Sequence, residues 1–388
     1  MIPDIRTKAI RLPAVLILTV VLLIIQGCSV HRYIYTPEDM RAMLSSRFED
    51  DALAQIEIPF ETSREMVAFA EDAAGDEINS IDKSINIVQA IISRWELDVE
   101  YERIADFTAE EVFHHTRKAN CLSFTHLFVS LARAVHVQAH YVDVRFESQM
   151  TEKNIIISNH HICAGVYDGA EFFLIDFDPN PEKNYRVYRV IDDLEALAHH
   201  YNNLAINEYA IFQETYDDAL IMLDTALTIK PDFYRAMNNK GAVFSLMNRN
   251  GDAERAFRDA LAIEPSMPEA NANLASLLMK QGKGTEAIVY AHRAVSMRPS
   301  NADYRYRLAL VYLHGGYYAA AYKQFRWITR HNPEMLLAFQ GLATTAFHLG
   351  HLDEARDALN RMPDTGPDTD EIRNLRLLIN GNSEQDRP

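Results

Sequence analysis

The sequence predicts two folds in one chain, an α+β domain in the first half and an all-α array of repeats in the second. Two observations predict this order. Helix-like segments precede β-rich segments in the first half, and a 34-residue period runs through the second. A third observation, a basic start followed by an apolar run, sets the N-terminus apart from both. A chain of 388 residues, 48% of them hydrophobic, has room for two or three domains.

Residues 1–27 have the composition of a secretory signal peptide. Arg6, Lys8 and Arg11 make the start basic, and a nearly uninterrupted apolar run follows from residue 12 to residue 25. This run is shorter than the roughly 20 residues that a membrane-spanning helix needs. We therefore predict a cleaved signal rather than a transmembrane anchor.

The segment IQGC at residues 25–28 resembles a bacterial lipobox. The resemblance implies that Cys28 is lipidated and becomes the first residue of the mature chain. Because Ser29 follows instead of an aspartate, it also implies an outer-membrane lipoprotein that faces the periplasm. A plain signal peptide with an incidental cysteine is the alternative. Residues 28–50 are predicted to form a tether from the lipid to the first domain.

The chain is acidic, with a formal net charge of −17 at pH 7. Removal of the signal peptide takes away three basic residues and one acidic residue, so the mature chain is more acidic still. This charge opposes binding to nucleic acid or to an anionic lipid surface. With Cys28 lipidated, only Cys121 and Cys163 remain, so the chain is not a disulfide scaffold.

Three sets of positions in the second half keep a spacing of 34 residues. The prolines are Pro231, Pro265, Pro299, Pro333 and Pro367. The alanines are Ala219, Ala253, Ala287, Ala321 and Ala355. The third set, of mostly small residues, is Asn207, Gly241, Ala275, Ala309 and Ala343. The small residues let two antiparallel helices approach closely, and each proline follows the second helix, where the chain must turn.

This pattern resembles the tetratricopeptide repeat. The resemblance implies five repeats over residues 200–369, which form an α-solenoid with a concave groove, and a polar tail over residues 370–388. Arrays of this kind usually bind a peptide or a protein. Asn239 and Asn273 occupy equivalent positions on first helices, and Arg307 is next in the row. An Asn amide matches a peptide group in donor and acceptor, so this row is a candidate peptide-binding row, and solvated polar residues are the alternative.

The first half, residues 51–195, is predicted to place helices before strands. The predicted helices cover Ser84–Trp95, Thr108–Thr116 and Leu122–Val135, and the segment HVQAHYVDVRF after them predicts a strand. Thr108 and Glu111 have the spacing of a capping box.

Asp168-Gly169 lies between two β-rich runs and predicts a hairpin. If these two residues form the turn, His161 pairs with Asp176, and cross-strand partners lie close together on one face. A longer loop pairs His161 with Asp178 instead. We favour Asp176 because Asp-Gly is a preferred type I′ turn.

Cys121 opens the third predicted helix, where the positive end of the helix dipole favours a thiolate. A histidine that is oriented by a carboxylate can take the proton of that thiol. In this arrangement Asp176 would accept the Nδ1 proton of His161, and Nε2 would face the thiol. The backbone amide of Cys121 could donate to an oxyanion, whereas Asn120 and Tyr101 are weaker candidates for a second donor.

The segments NCLSFTHLFVSLARA and HHICAGVYDGAEFFLID resemble the Cys segment and the His-Asp hairpin of the transglutaminase-like superfamily. The resemblance implies a papain-like fold with Cys121 as nucleophile, His161 as base and Asp176 as orienting residue. The chain departs from the family at Asn120, where glycine is usual, and at Cys163, where tryptophan is common. The fold class expected is therefore an α+β papain-like, transglutaminase-like domain followed by an all-α tetratricopeptide-repeat solenoid.

These features predict a membrane-anchored periplasmic thiol enzyme that acts on amide bonds of a protein or peptide, as a cysteine peptidase does, through an acyl-enzyme on Cys121. The repeats would recruit the substrate or a partner. A non-catalytic assembly lipoprotein and an amide cross-linking transglutaminase are the alternatives. We expect no cofactor and no metal, because adjacent histidines point apart and no Cys-x-x-Cys or His-Glu-x-x-His motif is present.

Overall fold

A computed structural model describes most of the chain, in eight ranges. They are residues 22–24, 34–104, 106–144, 150–152, 155–157, 161–178, 188–362 and 373–379. Contacts divide the chain into two compact units: Met1–Met150 with Ser158–Asn239, and Thr151–Ile157 with Lys240–Pro388. Within the described ranges, no helix combines the length and the apolar character that crossing a membrane requires. Cys28 lies outside the described residues.

The first unit contains a small sheet and helices that precede and follow its strands in the chain. They are α1 (Pro37–Leu44), α2 (Asp50–Leu53), α3 (Arg64–Ala74), α4 (Ser80–Ile92), α5 (Ala109–Glu111), α6 (Cys121–Ala134), α7 (Asp193–Leu204) and α8 (Tyr216–Ile229). Helix α5 continues as a π-helical turn over Val112–Thr116, and α7 continues in the same way over Ala205–Gln213. The predicted capping box is present: the side chain of Thr108 accepts from the N–H of Glu111, whose side chain accepts from the N–H of Thr108.

Nine short strands are described. They are β1 (Leu22–Ile24), β2 (Glu100–Tyr101), β3 (Lys118–Ala119), β4 (Ala139–Val144), β5 (Met150–Glu152), β6 (Ile155–Ile157), β7 (His161–Asp168), β8 (Glu171–Ile175) and β9 (Tyr188–Ile191). Five form a sheet in the order β1-β8-β7-β4-β9, whereas β2 pairs with β3 and β5 with β6. The edge strand β1 belongs to the segment predicted to be a cleaved signal peptide, so cleavage before Cys28 would leave a sheet of four strands. Helix α6 is buried from Leu122 to Ala132, so this helix and the five-stranded sheet supply much of the core of the unit.

The hairpin of β7 and β8 has the alternative register, whose continuation sets His161 opposite Asp178, and not the favoured register that pairs His161 with Asp176. Asp168 pairs with Glu171 and Ala164 with Ile175, so the turn residues are Gly169 and Ala170 rather than Asp168 and Gly169. Gly169 has a φ of 62°, in the left-handed region. Glycine enters this region without steric cost, and a turn with glycine at its first central position is the type II′ alternative to the expected type I′.

Part of the predicted tether is folded. Residues 37–44 form α1, capped by Thr36, and its side chains Met40 and Leu44 are fully buried. The backbone N–H of Tyr35 donates to Oδ2 of Asp193 at 2.9 Å, which joins the segment before α1 to the start of α7. Burial of apolar side chains therefore begins soon after residue 34.

The second half forms the predicted helical pairs. The helices are α9 (Tyr234–Leu246), α10 (Asn250–Ile263), α11 (Pro268–Lys280), α12 (Gly284–Met297), α13 (Ala302–His314), α14 (Tyr318–His331), α15 (Leu336–His348) and α16 (Leu352–Asn360). With α7 and α8 they make five pairs, and the periodic alanines are all fully buried. A Cβ on Gly241 would lie 2.6 Å from Cε1 of Phe257, so this position requires glycine for close packing.

Part of the predicted polar tail also differs from expectation. Residues 373–379 form a further helix. Its side chains Leu375 and Ile379 are buried in the cluster that includes Phe339 and Leu359. These two apolar residues, spaced four apart on one helical face, explain why this part of the tail packs on the last repeat.

Candidate active site and repeat groove

Cys121 is the first residue of α6, and Asn120 holds it there. Oδ1 of Asn120 accepts hydrogen bonds from the backbone N–H groups of Leu122 and Ser123, each at 3.0 Å. This cap satisfies two of the N–H groups that a helix start leaves without intrahelical partners. The thiol of Cys121 is half-buried and free. The other described cysteine, Cys163, is buried in an apolar cluster on the sheet.

Asn120 is itself anchored by a buried carboxyl group. Its Nδ2 donates to Oδ1 of Asp106, and Nδ2 of Asn207 donates to Oδ2 of the same carboxyl group at 2.5 Å. Burial raises the pKa of Asp106 to about 6, although both hydrogen bonds oppose the shift. Asn120 is therefore a positioning residue, because its carbonyl oxygen caps the helix and its amide nitrogen binds Asp106. No sequence pattern connects Asp106 or Asn207 with Cys121, so a role for either residue at this site could not be predicted.

His161 and Asp176 are in contact. Nε2 of His161 lies 2.6 Å from Oδ1 of Asp176, and that oxygen also accepts the backbone N–H of Asp178 at 3.1 Å. Asp176 is therefore beside the histidine although the predicted register was wrong. Strand β8 ends at Ile175, and Asp176 reaches His161 from just beyond the strand end.

The ring nitrogen that binds the carboxylate also differs from the prediction. Asp176 engages Nε2, so Nδ1 is the nitrogen left for the thiol. Cys121 and His161 are hydrogen-bonded through their side chains. Burial by itself lowers the pKa of His161, but the charge of Cys121 and the hydrogen bonds to Asp176 and Cys121 outweigh it and raise that pKa to about 10. This favours an imidazolium beside the sulfur.

Tyr101 on β2 is the next polar group at the site. Burial, together with the negative charges of Cys121, Asp178 and Asp176, raises the pKa of Tyr101 above its usual value. Its hydroxyl therefore remains a hydrogen-bond donor at neutral pH. The ring is held against Phe124 of α6, with the two ring centroids 6.5 Å apart and nearly parallel.

The three residues of the predicted groove row have different environments. Asn273 binds the backbone of Ile156, with Nδ2 donating to its carbonyl oxygen at 2.7 Å and Oδ1 accepting its N–H at 2.9 Å. Asn239 is fully buried, and its Nδ2 donates to Oδ1 of Asn202 at 2.9 Å. Arg307 is 8% exposed and donates to Oγ of Ser276 at 3.0 Å. Burial lowers the pKa of Arg307 to about 10.

Adjacent histidines contact different neighbours. His199 packs on Phe233 and His200 on His126, with ring centroids 4.7 and 5.3 Å apart. Across the described ranges, no group of three or more His, Cys, Asp or Glu side chains is arranged to hold a metal ion.

Comparisons with known families agree with this architecture. The family model of the transglutaminase-like superfamily matches residues 67–179. A tetratricopeptide repeat model matches residues 246–291, and a model described as anaphase-promoting complex, cyclosome, subunit 3 matches residues 280–362. The chain therefore carries a transglutaminase-like core followed by tetratricopeptide repeats, and this combination fits a protein-binding role.

Individual relatives cover parts of the chain. Human tetratricopeptide repeat protein 13 is 29% identical over 157 residues, which are 39% of this chain and 18% of the human protein. The chain thus matches less than a fifth of the length of that curated relative. YrrB, described as a TPR protein with an unusual peptide-binding site, is 22% identical over 46% of this chain and 92% of its own, with a TM-score of 0.40. PilF from Pseudomonas aeruginosa is 20% identical over 48% of this chain and 84% of its own, with a TM-score of 0.45.

Proposed function

We propose that the protein is a thiol enzyme that acts on amide bonds of a protein or peptide, with Cys121 as nucleophile, and that its repeats recruit the substrate or a partner. The observation that carries this proposal is the chain of contacts from Cys121 to His161 and from His161 to Asp176. A nucleophile, a base and a group that orients the base are the parts that acyl transfer requires. The match of residues 67–179 to the transglutaminase-like superfamily supports the same chemistry.

In the proposed reaction the thiolate of Cys121 attacks the carbonyl carbon, and a carbon–sulfur bond forms. The backbone N–H of Cys121, at the helix start, stabilises the oxyanion. The imidazolium of His161 gives its proton to the leaving amine as the carbon–nitrogen bond breaks, which leaves a thioester. His161 then takes a proton from water, the hydroxide attacks the thioester, and the acid and the thiolate–imidazolium pair are released. Asp176 stabilises the imidazolium throughout.

Hydrolysis can be detected without knowing the substrate. We would incubate a periplasmic protein extract with the enzyme in water enriched in ¹⁸O and search by mass spectrometry for labelled new carboxyl ends. The wild-type chain is expected to generate them, and Cys121→Ala is not. Cross-linked peptides without the label would show that an amine, and not water, attacks the thioester. If no product depended on Cys121, the first domain would be non-catalytic and the protein would act through its repeats.

We also propose that the protein is anchored to the outer membrane by a lipid on Cys28 and faces the periplasm. The basic and apolar segment before IQGC supports this localisation. Cys28→Ser should leave the protein without acyl chains and release it from the membrane fraction. Cys163→Ser is the matched control and should remain membrane-bound. An acylated Cys28→Ser protein would contradict the proposal.

A further inference from the structure

Asn273 binds one residue of this chain in the way that an amide side chain binds an extended peptide. Both polar atoms of its side chain are used, and both reach the backbone of Ile156, which is 117 positions away in sequence. These two hydrogen bonds involve only backbone atoms, so they can form with any residue whose N–H and C=O both face the amide of Asn273. The bound residue lies in β6, and Thr151–Ile157 belongs to the same compact unit as α11.

The side chain of Ile156 supplies the specificity that the backbone bonds lack. It is fully buried in a cluster with Ala272, Ala294 and Tyr304, and Val295 packs against that cluster. The two alanines leave space for a branched aliphatic side chain, and larger residues there would fill it. The environment therefore selects an extended segment with a residue of the size of isoleucine or valine.

The repeat surface beside Asn273 offers more binding area than a three-residue strand uses. A cavity of about 510 Å³ is lined by residues of the second unit, including Asn273, Ser276, Tyr306 and Arg307. A longer segment bound at Asn273 would extend along this cavity and gain contacts there.

We propose that the Asn273 site binds an extended segment of a partner protein with a branched aliphatic residue, and that Ile155–Ile157 is a built-in competitor that the partner must displace. The inference deepens the recruiting role proposed above for the repeats. A competitor in the same chain has a high effective concentration, so it weakens binding of any partner without altering the site itself. The apparent dissociation constant equals the intrinsic one divided by the fraction of molecules whose groove is open.

Binding of a peptide with the sequence of residues 150–158 tests this competition. We would label the peptide with fluorescein and measure fluorescence anisotropy with the full chain and with Ile156→Glu, which removes the competitor but leaves the groove intact. We expect Ile156→Glu to bind at least about tenfold more tightly than wild type, as for a site open in roughly a tenth of molecules. Adding Asn273→Ala to Ile156→Glu should abolish binding.

Three controls make the outcome decisive. Ile78→Glu is the same substitution at a side chain that is 95% exposed, and it should bind as wild type does. Ile156→Ala is a milder variant and should show a smaller gain in affinity, which covers the case that Ile156→Glu fails to fold. A peptide in which aspartate replaces the residue that corresponds to Ile156 should not bind.

Equal affinity of wild type and both Ile156 variants would overturn the competition. Tight binding that survives Asn273→Ala would overturn the assignment of the site. Neither result depends on the thiol of Cys121, so failure of this inference and failure of the proposed enzymatic activity are distinguishable.

Discussion

Nε2 of His161 lies 2.6 Å from Oδ1 of Asp176, although the register of the hairpin, continued past its last pair, would set His161 opposite Asp178. The strand ends at Ile175, and the backbone N–H of Asp178 donates to Asp176. Asp178 thus helps to fix the carboxylate through its backbone, and this role does not require its own side chain.

Asp176→Asn should fold normally and lose nearly all Cys121-dependent turnover. An amide offers the imidazolium no charge and allows the wrong tautomer, and the comparable change in a serine triad costs on the order of 10⁴ in turnover. Asp178→Asn is the matched control and should keep most of the activity, because its backbone N–H remains. Steady-state rates of both variants check this, and the reverse ranking would make Asp178 the orienting residue.

Asn120→Ala should destabilise the fold more than the loss of an ordinary helix cap. The substitution removes two accepted hydrogen bonds and takes one donor from buried Asp106, so we expect a cost of about 2–4 kcal/mol. Asn79→Ala removes the exposed cap of α4 and should cost about 1 kcal/mol. Urea unfolding of both variants measures the difference, and equal costs would contradict the role given to Asp106.

Gly241→Ala should destabilise the repeats by about 1–3 kcal/mol, because the added methyl group would clash with the ring of Phe257. Gly251→Ala is the same substitution in the next helix, at a position with open space around the added atom. It should be neutral or stabilise by about 0.4–1 kcal/mol. The melting temperature should therefore fall for Gly241→Ala and stay the same or rise for Gly251→Ala. Similar shifts would show that the helices do not approach as closely as described.

Acid should weaken the first unit partly through His200. Burial lowers the pKa of His200 to about 4, whereas an unfolded histidine titrates near 6.5. Between these pH values His200 is protonated in the unfolded chain and neutral in the folded chain. The free energy of unfolding therefore decreases as the pH falls from 6.5 towards 4. The full loss from this residue would be up to about 3 kcal/mol.

His200→Leu should therefore reduce the decrease in stability between pH 7.5 and pH 5, measured by urea unfolding at both values. Asp106 titrates in the same range with the opposite sign, but it contributes equally to both proteins and cancels in the comparison. His115→Leu, at an exposed position, should leave the pH dependence as it is in wild type. If His200→Leu behaved in the same way, the buried histidine would not be the cause.

Features that depend on a local sequence pattern could be predicted from the sequence. Contacts between segments that are distant in the chain could not. Periodic small residues suffice to predict helical pairs, and Thr108 with Glu111 suffices to predict a cap, because both depend on fixed spacing along one element. The contact of Asn207 with Asp106 joins residues 101 positions apart, and only the folded chain brings them together. The same holds for Ile156 at Asn273. The favoured hairpin register was wrong for a different reason: Gly169 is compatible with two turn types, and the sequence does not decide between them.

The rate at which iodoacetamide alkylates Cys121 as a function of pH shows whether His161 activates the thiol. If His161 and Asp176 hold the thiol as an ion pair, wild type should react at pH 6.5 at least about tenfold faster than His161→Ala, since an ordinary thiol is almost wholly protonated there. His115→Ala should react as wild type does, and peptide mapping should place the label on Cys121. If wild type and His161→Ala reacted at the same rate at every pH, the account of Cys121 as an activated nucleophile would be wrong.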